Sequence, residues 1–410
     1  MAIIKNKEKF LSNIWDMVEY FDFHTHGEGD KFPNIYKGMF VKKGGMARLN
    51  ELTETLYNEK DRNIALLSKK NIKDYLGEIL LKIKRRELTK DEEICQYFEA
   101  QANLPADDFL MIRPIYGLEF TTSDVFKLGP FSLFPAGTID SYLPTKYQWL
   151  VSEEHKDRYQ ENIRRYESYN LLAVTVRVKT LERARELGDY YFSMFDTIAR
   201  FMLTDNEFYD VSVLGFNRYY TEELLVASNK GIHSTLSGSG TIRQLTFDYA
   251  EWSSDNFARL WELASKYYKG DACEWEKRIL FAVHWTGHAV ADKNDASAFT
   301  KYVFALETLL VNDSKGIITA GIAYQISELA AFILGENTES RKDIFKLTKD
   351  IYAKRSAIVH GGSTTAPDRL LQQAKRLIFS LIHKILSDED LLALRTSQDL
   401  NDWLMSRKFA

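Results

Sequence analysis

The sequence predicts a multidomain α+β protein, in which an N-terminal α/β region with a mixed or antiparallel sheet precedes a C-terminal all-α helical bundle. With 410 residues, the chain exceeds the size at which one hydrophobic core keeps growing. Strand-like segments occur before about residue 252, and every later segment has its apolar residues at helical spacing. We therefore predict an α+β region over 1–150, an α+β middle domain over 151–265 and a helical bundle over 266–410.

The N-terminal region begins with a Gly- and Lys-rich loop and helix-like segments near 48–100. Five of the seven prolines then fall between Pro105 and Pro144. Proline cannot donate a hydrogen bond to a helix or to a central strand, so this stretch predicts strands and loops.

The middle domain combines strands with one long helix. In 171–180, valines alternate with polar residues, which predicts a half-buried strand, and 181–202 follows as a helix. The segments 209–216 and 242–250 are strand-like, and we interpret the Ser- and Gly-rich 233–241 as a loop between strands. Together they indicate a compact α+β domain.

The last part of the chain predicts a helical bundle, since its segments are amphipathic at a period of 3.6 residues. The predicted helices are 274–290, 297–311, 319–334, 340–360 and 367–387.

Composition excludes several classes of protein. A net charge of −4 argues against a protein that coats nucleic acid through bulk electrostatics. No run approaches eighteen apolar residues and the first residues are too charged for a signal peptide, so we expect a cytoplasmic protein without a membrane segment. Two distant cysteines, Cys95 and Cys273, exclude a disulfide framework.

The stretch FDFHTHG at 21–27 contains Asp-x-His-x-His, which is found in metal-dependent hydrolases. His24 and His26 could flank one ion, but further ligands would have to complete the site. None of the six later histidines lies in an alternating strand–helix series. We interpret the stretch as an N-terminal strand and turn, and keep a metallohydrolase that uses His24 and His26 as the least favoured alternative.

His284 and His288 lie four residues apart on a predicted helix, so both side chains face one side. The sequence lacks the Glu of His-Glu-x-x-His, and Gly287 weakens the helix between them. We interpret them as interior or interface histidines.

The predicted helix 340–360 places a charge on its apolar face. Arg355 falls inside the stripe formed by residues such as Leu347, Ile351 and Ile358. A guanidinium keeps its charge, so on a buried face it needs a carboxylate, a phosphate or a water-lined cleft. His360 follows in the last turn, where the helix dipole stabilises an imidazolium.

Two roles fit Arg355 from these residues alone. It can pair with a carboxylate of a neighbouring helix, such as Glu307 in FALETLL. In that case His360 is only a cap at the end of its helix. It can also bind a phosphate while His360 transfers a proton.

The C-terminal segment 270–390 resembles the HEPN superfamily of ribonucleases, and most closely the HEPN domain of ApeA-like antiviral defence proteins. The resemblance depends on FAVHW at 281–285, FALETLL at 304–310, the following ISELAAFIL helix and YAKRSAIVHG at 352–361. In the last of these, Arg355 and His360 match the Arg-x4-His motif.

The resemblance implies a metal-independent endoribonuclease that is active as a homodimer, in which two bundles bring their motifs to one cleft. Arg355 and His360 are then the catalytic residues, and Tyr352, Ser356 and Glu307 are auxiliary. Ser356 stands where the superfamily often has Asn, Asp or His. The resemblance also implies that the substrate is RNA and that the reaction needs neither a metal nor a cofactor.

The residue chemistry agrees with RNA cleavage. The 2′-hydroxyl can attack its own 3′-phosphate if a base, an acid and a cation are supplied, and this gives a 2′,3′-cyclic phosphate. The apolar stripe that contains Arg355 and the broad apolar face of the last long helix, from Leu370 to Ile385, together offer more apolar area than a small bundle needs. We therefore expect part of this apolar surface to meet a second copy.

The sequence is compatible with three functions. The first is a bacterial antiphage (abortive infection) or toxin-type ribonuclease, whose N-terminal region senses a phage-derived trigger or binds an inhibitory partner. The second is a non-catalytic HEPN-type module that binds RNA or nucleotide, or serves in assembly. The third is the metallohydrolase.

Overall fold

The fold is α+β, as the sequence predicts, and every described element from Tyr249 onward is a helix. The computed structural model describes residues 4, 6–23, 34–58, 62–148, 152–154, 156–203, 211–213, 220–228, 231–239, 244–292, 294–311, 321–361 and 365–409. His24 and His26 therefore lie outside the described residues.

Contacts divide the chain into two compact units, which are described separately. The first contains Met1–Met111, Thr175–Asp189 and Val226–Gly231, and the second contains Ile112–Val174, Tyr190–Leu225 and Ile232–Ala410. The three-domain division stays a prediction.

The first unit is built mainly from N-terminal helices around one apolar core. Its elements up to residue 102 are α1 (Lys7–Val18), β1 (Phe21–Asp22), β2 (Asn34–Tyr36), β3 (Met39–Val41), α2 (Gly45–Asn58), α3 (Arg62–Ala65), α4 (Lys69–Lys84) and α5 (Asp91–Ala102). The strands form a small antiparallel sheet in the order β1-β3-β2. Helix α1 packs on α2, α4 and α5, and the rings of Phe10 and Phe98 lie 5.4 Å apart in the core.

A six-stranded sheet follows in the order β10-β9-β4-β8-β7-β6. The elements of this stretch are β4 (Asp107–Pro114), β5 (Leu118–Glu119), β6 (Phe126–Leu128), β7 (Phe131–Phe134), α6 (Ile139–Lys146), α7 (Lys156–Arg164), β8 (Leu171–Val178), α8 (Leu181–Met202), β9 (Tyr220–Ser228), β10 (Gly231–Ser239) and β11 (Leu245–Thr246). Strands β6, β7 and β8 are antiparallel, and β5 and β11 form a separate parallel pair.

The strand predicted over 171–180 and the helix over 181–202 are confirmed as β8 and α8. The loop predicted over 233–241 is wrong, because most of it lies in β10. Its Ser and Gly content is typical of loops, but ladder pairing in a sheet overrides such weak local preferences.

The remaining elements form the helical part of the second unit. They are α9 (Tyr249–Trp252), α10 (Asp255–Lys269), α11 (Glu274–Val290), α12 (Asp295–Leu310), α13 (Ile322–Leu334), α14 (Thr338–Gly361), α15 (Asp368–Ser387), α16 (Glu389–Leu392) and α17 (Ser397–Lys408). Helix α11 packs on α12, α13 packs on α14, and α15 packs on α12. All five predicted helices are present, with bounds shifted by no more than three residues.

Only one part of the surface expected to meet a second copy is covered within the bundle. The apolar face of α15 is covered within the chain itself, since Ile378, Leu381 and Ile385 are fully buried and Leu371 is 9% exposed. It packs against α10, α11, α12 and α13. The face is therefore not available to a second copy, and the sequence misled because it does not show how many helices surround α15.

Candidate functional site

Helix α14 carries the candidate catalytic residues and is anchored by the middle of its apolar stripe. Ile351 and Thr348 are fully buried. The Thr348 hydroxyl donates to the carbonyl of Ile344 at 2.8 Å, so it is buried without an unpaired donor. This anchoring fixes the direction in which the next turns of α14 project their side chains.

Arg355 lies one turn beyond Ile351 and pairs with Glu307 of α12. Its Nη2 lies 3.4 Å from Oε1 and 3.5 Å from Oε2 of Glu307, and the two side chains are 16% and 22% exposed. Both distances exceed the usual 2.7–2.9 Å of a charge-assisted hydrogen bond. The carboxylate partner considered in the sequence analysis is thus present, but it holds the guanidinium loosely and does not seal it from solvent.

Two aromatic rings border the same guanidinium. Its carbon lies 5.3 Å from the ring centre of Phe304 and 5.9 Å from that of Tyr352, within cation–π range. The Nε of Arg355 is buried and has no hydrogen-bond partner among the described residues. The side chain therefore keeps hydrogen-bonding capacity that Glu307 does not use.

Tyr352 adds a second donor to Glu307. Burial raises the pKa of the Tyr352 phenol, and the charge and hydrogen bonding of Glu307 raise it further. The phenol is therefore protonated at neutral pH. Tyr352, Arg355 and Glu307 therefore form one cluster.

His360 and Ser356 lie elsewhere on α14. His360 is exposed in the last turn, and Ser356 is partly buried. His360 is five positions after Arg355 on the helix, which corresponds to about 7.5 Å along the axis and a rotation of about 140°. Within one chain the Cβ atoms of the two residues therefore leave the helix in directions about 140° apart.

The histidine pair of α11 is partly buried, as predicted for interior histidines. The Nε2 atoms of His284 and His288 lie 3.2 Å apart, and the Nδ1 of His284 lies 3.3 Å from the hydroxyl of Thr197 in α8. Burial lowers the pKa of His284, and burial and the neighbouring His284 lower the pKa of His288 to about 4. Both imidazoles are therefore neutral at pH 7.

Gly287, between these histidines, has a structural role that sequence reasoning missed. A Cβ at this position would lie 2.4 Å from the carbonyl oxygen and 2.5 Å from the Cα of Thr197. Helices α8 and α11 therefore cross with their backbones in close contact. The sequence signal for this contact is the glycine itself, which helix propensity treats only as a weak point of α11.

Within the described residues, no group of three or more His, Cys, Asp or Glu side chains could hold a metal ion. The described helices also include none that is long and apolar enough to cross a membrane. Comparison of the chain with protein-family models, with curated proteins and with solved structures finds no match in any of the three. The site must therefore be interpreted from its own residues.

Proposed function

We propose that this chain is a metal-independent endoribonuclease of the HEPN type, belonging to an antiphage or toxin-type system, with Arg355 and His360 as its catalytic residues. One observation carries the proposal: a permanently charged guanidinium on the apolar side of α14, loosely paired and still reached by solvent, precedes an exposed histidine by five residues. The N-terminal region would sense a trigger or bind an inhibitory partner.

Cleavage of RNA through its 2′-hydroxyl requires a cation and a group that transfers protons, which an arginine and a histidine can supply. Arg355 would bind the scissile phosphate and stabilise the charge of the phosphorane. His360 would move protons, taking one from the 2′-hydroxyl or giving one to the 5′-oxygen that leaves. The P–O5′ bond breaks as the P–O2′ bond forms, which gives a 2′,3′-cyclic phosphate and a 5′-hydroxyl.

The directions of the two side chains favour a site made by two copies. Because Arg355 and His360 of one chain diverge by about 140°, a second copy would be needed to surround one phosphate. Ile322 and Tyr324 of α13 and Val359 of α14 are large apolar side chains that are 46%, 49% and 45% exposed. Such side chains are typical of the centre of a protein–protein interface.

Local charge favours an anionic substrate. Helices α14 and α15 together contain ten Lys and Arg residues and four Asp and Glu residues, although the whole chain has a net charge of −4. A basic excess on neighbouring helices attracts a polyanion such as RNA.

Glu307 would compete with a phosphate for Arg355. If so, Glu307→Gln removes the competing charge, and we expect RNA to bind about 3- to 10-fold more tightly, since the Nη2 edge is then open to the phosphate. The dissociation constant of a fluorescent RNA at fixed salt concentration, measured with His360→Ala also present to block cleavage, gives the result.

Glu328→Gln in the same background is the matched control. Glu328 is 17% exposed and pairs with Lys408 instead of an arginine of α14, so the charge change is the same at a similar burial. Equal RNA affinity in the two variants would show that Glu307 does not compete with the phosphate.

A non-catalytic RNA-binding or assembly module is the second candidate. The ion pair between Arg355 and Glu307 favours it, because a paired arginine can serve structure alone. Incubating the purified protein with unlabelled total RNA in the presence of a chelator separates the two functions. Cleavage products with 2′,3′-cyclic phosphate ends support the nuclease, and binding without any cleavage rejects it.

A further inference from the structure

One side of α15 carries basic and polar side chains without a carboxylate among them. If each residue is placed 100° after the last and Arg369 is set to 0°, Arg376 lies at about 340° and Ser380 at about 20°. On the same scale Gln372 lies at about 300° and Gln373 at about 40°. Four of the five are exposed, and Gln373 is partly buried. These five residues are called the outer face of α15 below.

The two arginines of the outer face are not committed to a carboxylate. Among the described residues, neither Arg369 nor Arg376 has a side-chain hydrogen bond or an ion pair. Asp368 is the one acidic residue of α15, and it lies about 100° away from Arg369 around the helix. By contrast, Lys384 near the other end of α15 pairs with Asp388 at 3.0 Å. An anion that binds both arginines therefore has no internal ion pair to break.

The exposed lysines of α14 offer a weaker attraction to anions. Lys342, Lys346 and Lys349 follow one side of that helix and are exposed. Asp343 precedes Lys346 by three positions and Asp350 follows it by four, so both carboxylates are its neighbours on the helix surface. These charges partly cancel the positive potential of the lysines. The outer face of α15 is therefore the more favourable of the two surfaces for a polyanion.

The outer face is also firmly supported and lies next to the proposed site. The opposite side of α15 is fully buried at Ile378, Leu381 and Ile385. The six residues 362–367 connect α14 to α15, and the two helices pack on each other. Such a short connection places consecutive helices side by side in opposite directions. Arg369, in the first turn of α15, is therefore at the end of α14 that carries His360.

We propose that the outer face of α15 binds the RNA strand beside the bond that is cleaved, an inference that rests on the proposed nuclease function. Arg369 and Arg376 lie about 10.5 Å apart along the axis, so each would bind a phosphate of its own. The amides of Gln372 and Gln373 both donate and accept hydrogen bonds, which suits ribose hydroxyls and base edges. Charge complementarity selects this ligand, since the outer face is positive and RNA is a polyanion.

The test compares two double variants that each remove two exposed positive charges. One is Arg369→Gln with Arg376→Gln, and the control is Lys43→Gln with Arg185→Gln, in the first unit. The probe is a short fluorescent RNA, and His360→Ala is present in every protein to prevent cleavage. We expect the α15 variant to bind about 10-fold more weakly and its salt dependence, the slope of log affinity against log salt concentration, to fall by about 1.4. The control should keep the affinity and the slope of the His360→Ala protein.

Because binding is measured without cleavage, failure of this inference is distinct from failure of the nuclease function. If the α15 variant keeps the full affinity and slope while the wild type cleaves RNA, the inference is wrong and the nuclease function stands. If the variant loses affinity as expected but the wild type does not cleave RNA, the outer face binds RNA and the nuclease function is wrong. An equal loss of affinity in the control would also contradict the inference, because binding would then follow total charge.

Discussion

Alanine at Arg355 or at His360 is expected to reduce RNA cleavage by about 10²- to 10⁴-fold, the range for removal of a charge-stabilising group or of an acid–base group. Arg355→Ala removes the cation that binds the phosphate, and His360→Ala removes the proton transfer. The initial rate of cleavage of a short labelled RNA, with a chelator present, measures both effects.

Matched variants separate catalysis from stability. Arg185→Ala removes an exposed arginine of α8, outside the basic helices α14 and α15, and we expect it to cleave RNA at the wild-type rate. His360 is exposed, so His360→Ala should unfold at the wild-type temperature. Arg355→Ala leaves Glu307 without its cation and should cost about 1 kcal/mol in folding stability. Wild-type rates in both Arg355→Ala and His360→Ala would contradict the assignment.

Gly287→Ala is expected to destabilise the fold by about 2–4 kcal/mol, although alanine is the better helix former. Helix propensity alone predicts a gain of about 1 kcal/mol. The added Cβ would lie 2.4 Å from the carbonyl oxygen of Thr197, and backbone atoms cannot rotate away, so α8 and α11 must separate. The sign of the change in the free energy of unfolding therefore shows whether the gain in helix propensity or the clash with Thr197 is larger.

Chemical denaturation of Gly287→Ala and of Gly321→Ala measures this effect. No atom of the described residues lies within 4 Å of a Cβ added at Gly321, whose φ is −55°, so its replacement should cost no more than the loss of a glycine N-cap, about 1 kcal/mol. A Gly287→Ala variant as stable as the wild type would show that the two helices do not cross in close contact.

Local periodicity was enough to predict most of the helical bundle. The bounds of α8 and α11 match the predicted segments, because their apolar residues recur at helical spacing and the segments before them break the pattern. Strand β10 was missed because its Ser- and Gly-rich sequence is typical of loops, and only pairing with β9 makes it a strand.

Helical periodicity also allowed part of the candidate site to be predicted. The contact between Arg355 and Glu307 was considered from the sequence, since each residue lies on the side of its helix that faces the bundle. Phe304 was missed as a neighbour of Arg355, although it lies three residues before Glu307 on the same side of α12. The crossing at Gly287 depends on distant residues, and the glycine itself is its one local sign.

The most direct test of the proposed mechanism is a pair of short RNAs that differ only in one 2′-hydroxyl. The wild-type protein is first used to locate the cleaved bond, and the nucleotide on its 5′ side is then replaced by its 2′-deoxy form. We predict that the all-RNA substrate is cleaved in the presence of a chelator to a 2′,3′-cyclic phosphate, and that the substituted substrate is not cleaved at that bond. Equal cleavage of both substrates at that bond would contradict attack by the 2′-hydroxyl, and with it the roles assigned to Arg355 and His360.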